Sequence, residues 1–395
     1  MPRSSGKKNQ TEGLTIQKNP IIQFHVIFGL VELHSPYLWK KGHQAKPLRD
    51  EMGITHQGRS EAVNRALSDF GSEASFGQAA KRFAEHYHYE LSSSTVSRVT
   101  KEVAEEALAY VEEKLSTAGE TEAEAEAEAD EQASKPDKSV EHMLIELDAC
   151  KIRTATFEVL EHSEERTPVY HHPKKRKQIQ WRDVRMGLSR PLHAVSKTYV
   201  GKMESYPEVV EHLFQASLLG GMSQETTVVG VADGGIGLKE SLEARFPNLQ
   251  FILDKTHLKD HLYETAEELG ISTQERPGWV KSRLEAVSHG DVVQVKQELE
   301  ETYDKQPHPR LKRLIGYITR FYDAMHYDEF QAKGYPIGSG EIESAHRSVP
   351  QKRLKLPGAC WHPDSVNPML ALRILRADDW WDEFWEDRTQ RKMVA

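Results

Sequence analysis

Three apolar runs that each close on an aspartate constrain this chain most. Met143–Leu147 (MLIEL) leads to Asp148, Thr226–Ala232 (TTVVGVA) to Asp233, and Gln250–Leu253 to Asp254. Short runs rich in β-branched and apolar residues, bounded by polar or glycine positions, predict strands. Between them Pro207–Leu219 and Leu238–Phe246 read as helices. The order strand, helix, strand, helix, strand predicts an α/β sheet with helices packed on its faces. Ile152–Val159 either continues the first strand or pairs with it, and Trp181–Leu188 and Ser196–Val200 are further strand candidates. Residues 256–330 carry helical periodicity with few strand signals and read as a helical insertion.

Ahead of the sheet the pattern differs. Residues 22–39 are rich in β-branched and aromatic side chains and predict strands. Phe76, Ala79, Ala80, Phe83, Ala84 and Tyr87 share one helical face, and Val96, Val99, Val103, Ala104 and Ala107 share another. Ser92–Ser94 offer oxygens to cap the second helix. Residues 118–138 alternate Glu and Ala, have good helix propensity and no apolar face to bury, and read as a linker. The chain thus divides into a disordered tail (1–20), a small β region (21–57) and a helical region (58–116). An acidic linker (117–139), the first part of the sheet domain (140–254), the helical insertion (255–335) and a C-terminal part (336–395) follow.

The net charge of −9 over 395 residues is misleading as an average, because Glu120, Glu122, Glu124, Glu126, Glu128, Asp130 and Glu131 supply most of it. Total charge therefore neither excludes nor favours a polyanionic partner. The two cysteines, Cys150 and Cys360, form no CxxC pair and no disulfide framework, which fits a reducing compartment. No secretory leader and no apolar run long enough for a membrane span is visible. The expectation is a soluble, cytoplasmic protein without membrane partners.

Asp148 and Asp233 are each expected one residue past a strand, at the sheet edge where α/β folds gather ligands. Ala149 follows the first, and Gly234 and Gly235 follow the second, which lets a ligand approach the backbone. Glu343 follows the turn Gly338–Ser339–Gly340, which could open a helix. Three carboxylates from separate elements suit two hard divalent ions of the Mg²⁺ type. Spacing alone is weak support, because the chain has 61 acids and an aspartate after a strand is also an ordinary turn or cap residue.

The chain resembles the ISKra-type branch of bacterial insertion-sequence transposases, distantly similar to the Mutator-type enzymes. The segments that carry the resemblance are FGLVELHSPYLWKKG, LDACKIR, WRDVRMGLS, VVGVADGG, FILDKTHLKDHL, IGSGEIESAHRSVPQKRLKLPGACW and VNPMLALRILRADDWWDEFW, in that order. The resemblance implies a ribonuclease-H-like mixed sheet with a helical insertion, preceded by a small β region and a helix-turn-helix-like region. It implies DNA strand cleavage and 3′-OH strand transfer at element ends, with Asp148, Asp233 and Glu343 as a catalytic and metal-binding DDE triad. The implied cofactors are two Mg²⁺ or Mn²⁺ ions, and the partners are DNA and further copies of the chain. A nucleoid-associated location follows from the same resemblance. Glu341 competes with Glu343, but the family pattern places the acid directly before Ser. On a helix the two point about 200° apart, so they cannot share one role. Tyr37–His43 lacks the family's cysteines, so no structural zinc is expected. Pro350 falls inside the expected glutamate helix, which would end near Val349 or be altered. Pro350 is the ground for the alternative of a decayed DNA-binding derivative, and a ribonuclease-H-like nuclease without strand transfer is a separate alternative.

Asp254 and His257 are expected to support the metal ligands, with an ordinary helix start as the alternative, and His261 continues their spacing. His257 and His261 lack the glutamate that a zinc-peptidase helix needs between them. Ser94, Thr95, Arg98 and Lys101 are the expected DNA contacts of the second helix, with Ser97 beside them. Lys174, Lys175, Arg176 and Lys177 are a basic run between strands, read equally as a solvated loop or as DNA phosphate contacts, and Lys352, Arg353 and Lys355 are read as a phosphate clamp. Trp361, Trp380, Trp381 and Trp385 are read as packing aromatics.

Overall fold

The computed structural model describes residues 14–41, 43–47, 58–129, 139–159 and 175–394. It divides into two compact units, Met1–Tyr110 with Ala371–Ala395, and Val111–Leu370. Of the sequence readings, residues 1–13 of the tail, 130–138 of the acidic stretch and Lys174 lie outside the described residues.

The first unit begins with five short strands: β1 (Thr15–Lys18), β2 (Ile21–Val26), β3 (Gly29–His34), β4 (Tyr37–Lys40) and β5 (His43–Ala45). They form a β1-β4-β5 sheet and a separate β2-β3 hairpin. β1 lies within the stretch expected to be a disordered tail. Three helices follow: α1 (Glu61–Glu73), α2 (Phe76–Tyr87) and α3 (Ser93–Ala129). Each starts on a serine hydroxyl that accepts a backbone N–H: Ser60 from Val63, Ser75 from Gln78, Ser92 from Thr95. Val63, Leu67, Phe83, Val96, Val99 and Val103 are buried, so the apolar faces read from periodicity form the core here. Ser94, Arg98 and Lys101 are exposed and Thr95 is half-buried.

α3 continues to Ala129, into the stretch expected to be a linker. Its Glu/Ala composition is a good helix former, and a helix already nucleated upstream needs only propagation. At the C-terminus, Trp381, Phe384 and Trp385 are buried in the first unit. Arg388 pairs with Glu61 and Glu106 there, and Arg373 with Glu73.

The second unit is built on a five-stranded mixed sheet. Its strands are β6 (His142–Val159), β7 (Lys175–Pro191), β8 (Thr198–Lys202), β9 (Thr227–Ala232) and β10 (Leu249–Leu253), in the order β10-β9-β6-β7-β8. β6, β9 and β10 run parallel, and β7 is antiparallel to both β6 and β8. Helices α4 (Tyr206–Leu219) and α5 (Leu238–Arg245) are the crossovers that parallel pairing requires. Ile152–Val159 continues the first strand, one of the two alternatives read from the sequence, and β7 is far longer than the expected Trp181–Leu188. The polar outer halves of β6 and β7 look like breaks, yet each supplies the other with ladder hydrogen bonds along the full length. Asp148 consequently lies within a strand, and Lys175–Lys177 lie in β7 and not in a loop.

Five helices occupy the stretch read as an insertion: α6 (Lys255–Glu268), α7 (Arg276–Ser288), α8 (Val292–Lys305), α9 (Pro309–Arg320) and α10 (Tyr327–Ala332). The chain then forms α11 (Gly340–His346), a π-helical turn over Arg347–Gln351, and α12 (Lys352–Leu354). Pro350 lies inside the π turn and helical structure resumes at Lys352, so the helical path does not end at Val349. A π turn already displaces the i→i−4 ladder, and proline's missing N–H costs least there. Helices α13 (Val366–Ala377) and α14 (Trp381–Val394) complete the chain. Among the described residues, no helix is long and apolar enough to cross a membrane.

Gly71 on α1 provides a test of the first unit. A Cβ there would fall inside contact distance of Thr100 Oγ1 and lie 3.0 Å from Thr100 Cβ and Cγ2. Helix propensity favours alanine by ~1 kcal/mol, but threonine is stiff at χ1 and overpacking costs ~1–3 kcal/mol. Gly71→Ala is expected to lower the thermal midpoint, and Thr100→Ala in the same chain to restore part of it. A midpoint raised by Gly71→Ala alone would show that propensity wins.

Candidate active site

The sheet register sets the site. Leu253 pairs with Ala232, and Ala232 with Leu147, so the next residue on each parallel strand lies at one level. Those residues are Asp254, Asp233 and Asp148. β9 and β10 end there, while β6 runs on, paired with β7 alone. Asp148 is therefore at the edge of the parallel ladder even though it is not at a strand end.

Each aspartate is oriented by the backbone after it. Ala149 N–H donates to Asp148 Oδ1 at 2.6 Å, and Gly235 N–H donates to Asp233 Oδ1 at 2.9 Å. Glycine is required after Asp233. A Cβ on Gly234 would meet the Tyr317 ring and lie 2.8 Å from Phe321 Cε2, and one on Gly235 would lie 2.9 Å from Asp233 Oδ1 and 3.1 Å from Tyr206 Oη. Burial, reinforced by the charges of Asp233 and Asp254 and opposed by the Ala149 bond, raises the Asp148 pKa. The neighbouring Tyr206 and Tyr317 hydroxyls are likewise pushed up by burial and then by Asp233.

Asp254 is fully buried and carries three hydrogen bonds. Its Oδ1 accepts from Thr256 N–H at 2.6 Å, which caps α6. Its Oδ2 accepts from Ser339 N–H at 3.0 Å and from the Ser339 hydroxyl. Lys255 N–H also donates to Ile337 O at 3.0 Å. The turn before α11 is thus sewn to the end of β10.

A second buried carboxylate places α11 itself. Glu146, two residues before Asp148 on the same face of β6, is 2% exposed. Its Oε2 accepts the Ile342 N–H at 2.7 Å, one of the helix-start donors that lack intrahelical partners. Burial pushes the Glu146 carboxyl up to about 7 against the pull of that bond.

Glu341 and Glu343 then diverge. Arg190 Nη2 donates to Glu341 Oε1 at 2.6 Å and Lys197 Nζ donates to Oε2 at 2.5 Å. These bonds, Arg190's foremost, lower the Glu341 pKa. Glu343 instead joins Asp254 and His257, with one ligand atom from each lying within 4.8 Å of the others. That is a group that could hold a metal ion, and among the described residues it does not include Asp148 or Asp233. Asp254 and His257, expected to support the site from outside, thus lie as close to Glu343 as a ligand set requires.

His346 was not singled out from the sequence. It is one helical turn beyond Glu343, 3% exposed, with Nε2 3.4 Å from Asp148 Oδ2. Burial pushes its pKa down to about 4, so it is neutral at neutral pH. Glu146, Arg190 and Lys197 were also missed. Glu146 had one available signal, a single charge inside an otherwise apolar strand. Arg353 departs from the expected phosphate clamp: it is buried and its guanidinium sits 4.6 Å from the Trp361 ring centre, while Lys352 and Lys355 are exposed.

No protein-family model and no curated protein sequence matches the chain. Among solved structures, a strand transfer complex of the Drosophila P element transposase is similar over 83% of this chain and 80% of that one, at 9% identity and a TM-score of 0.28.

Glu146 generates a pH prediction. Its folded pKa of about 7 lies above its ordinary value near 4.5, so its contribution to stability is complete below pH 4.5 and is lost as pH rises through 7. The loss is about 3 kcal/mol. Glu146→Gln keeps an oxygen acceptor for Ile342 and removes the ionisation. Urea denaturation at pH 5 and pH 8 is expected to show a larger fall for the native chain than for this variant. Equal falls would mean that Glu146 titrates normally.

Proposed function

We propose that this chain is a metal-dependent DNA transposase whose mixed sheet is ribonuclease-H-like, with Asp148, Asp233 and Glu343 as its catalytic carboxylates. The observation that carries the reading is the register: Asp148 and Asp233 on neighbouring parallel strands, one level from Asp254, with Glu343 delivered beside Asp254 and His257. The sheet order and the helical segment after β10 are compatible with that fold.

The donor set fits hard divalent ions, being carboxylate-rich with one imidazole. Asp254 already accepts three protein hydrogen bonds, which favours it as the residue that fixes the turn and leaves Asp148, Asp233 and Glu343 to hold Mg²⁺ or Mn²⁺. Two such ions, when bound, activate the attacking oxygen and stabilise the leaving one in each phosphodiester step. The chain's own residues supply placement. Glu146 and Asp254 fix the start of α11 and with it the position of Glu343 beside Asp254 and His257. His346 is neutral beside Asp148 and adds no charge that would compete for the carboxylate. Arg190 and Lys197 hold Glu341 out of the site. Element ends and target DNA are the substrates of this reading, insertion-sequence mobility in a bacterial cytoplasm its setting, and an oligomer on DNA its working form. Ser94, Thr95, Arg98 and Lys101 on α3 are proposed DNA contacts, with Lys352 and Lys355 behind the glutamate. Pro350 gives no ground for a decayed copy, because the π turn accommodates it.

Asp148→Ala, Asp233→Ala and Glu343→Gln are each expected to lower Mg²⁺-dependent cleavage and strand transfer of cognate ends by ~100-fold or more, and His257→Ala by ~10–100-fold. Glu341→Gln is expected to retain most of the activity. Full turnover in any of the first three would remove that residue from the triad, and cleavage without joining would indicate a nuclease.

A further inference from the structure

Beyond the parallel ladder, β6 and β7 leave the sheet together. β9 pairs with β6 only as far as Leu147, and β8 pairs with β7 only from Arg185 onward. Cys150–Val159 and Lys175–Val184 therefore make a two-stranded antiparallel ribbon, about 30 Å long at ~3.3 Å per residue. Its root is braced on one edge of β6, where Trp361 N–H donates to Arg153 O and Ala155 N–H to Trp361 O.

One face of the ribbon is unusual. The register pairs Arg153 with Trp181, Ala155 with Ile179 and Phe157 with Lys177, and alternation places all six on one side. Trp181 is 62% exposed, Phe157 58% and Ile179 45%. Among the described residues neither Arg153 nor Lys177 has an ion-pair partner, and the acid of this face, Asp183, is held by Lys151 at 2.9 Å. Arg176 and Arg182 on the opposite face are exposed as well. Three large apolar side chains kept in water among uncompensated cations mark an interaction surface.

We infer that this ribbon is a DNA-binding arm that seats duplex beside the carboxylates, with Trp181, Ile179 and Phe157 against base edges and Arg153 and Lys177 on the flanking phosphates. The identity of the polyanion rests on the proposed transposase reading. Charge complementarity selects it over a second copy of the chain, which would set these cations against one another with no free acid among the described residues of the face to receive them. Shape agrees, since a two-stranded ribbon fits the major groove, about 12 Å wide. The arm also shares strand β6 with Asp148, so DNA held along it leads toward the site.

The test uses the full chain and three variants: Trp181→Ser, Phe157→Ser and the double change Arg153→Glu with Lys177→Glu. Duplex DNA affinity is followed by fluorescence anisotropy across a salt series, with light scattering and circular dichroism in parallel. Trp181→Ser and Phe157→Ser are expected to weaken binding about fivefold or more with little change in salt slope. The double charge change is expected to weaken it at least tenfold and flatten the slope by about two. Trp181, Phe157 and Lys177 are exposed and Arg153 is half-buried, and circular dichroism with the thermal midpoint checks that each variant keeps the fold. Native-like affinity in all three variants, while the unaltered chain binds DNA, would overturn the arm and leave the transposase reading intact. A dimer lost in Trp181→Ser with DNA affinity retained would assign the face to a second copy and likewise overturn the proposal. If the unaltered chain binds no DNA, both readings fall.

Discussion

The site depends on one buried carboxylate. Asp254 lies at the end of β10, starts α6 through Thr256, and accepts both donors of Ser339 from a turn 85 residues further along the chain. A buried carboxylate without partners would be costly, so these bonds are obligatory where it lies. Satisfying them closes the loop formed by the whole helical segment and brings the start of α11 against the sheet. Glu146 does the same work from the neighbouring strand through Ile342. Between them, the two acids convert a distant helix into part of the sheet edge.

Four acids of one chemical kind thus take different parts because of their surroundings. Glu341 is neutralised by Arg190 and Lys197, Glu146 is buried against a helix start, Asp254 is spent on backbone and hydroxyl donors, and Glu343 is left beside His257 and Asp254. The same logic explains His346. Packed inside, it is held neutral beside Asp148, where an exposed histidine would be partly charged.

The long β6–β7 pair shows how a strand can serve two environments. Its inner half is apolar, carries the parallel ladder and fills the core with Leu144, Ile145 and Leu147. Its outer half keeps strand geometry through β7, helped near the sheet by Trp361, and while Ile152 and Ala155 stay buried there, Phe157, Ile179 and Trp181 further out are exposed. Trp361 reaches back to the root of that outer half and stacks under Arg353, so the segment after α12 steadies the ribbon as well as the glutamate helix.

Much of this was legible in residue order. The apolar runs before Asp148, Asp233 and Asp254 marked three strands, and the helical stretches between them marked an α/β sheet, while their parallel pairing is seen in the folded register. Periodicity in 76–107 determined the helices of the first unit, and the Gly338–Ser339–Gly340 turn determined that a helix starts near Glu343. These are local signals, carried by period, propensity and capping. The sequence left open whether Ile152–Val159 continues the first strand, and the outer part of β7 was not legible, since its hydrogen bonds come from β6 across a gap in the chain. Asp254 and His257 were expected beside the metal ligands, but not at ligand distance from Glu343, and neither the burial of Arg353 nor the ease with which Pro350 sits in a π turn was legible. Each of these is decided by partners far away in sequence, and only the folded register brings those partners within bonding distance.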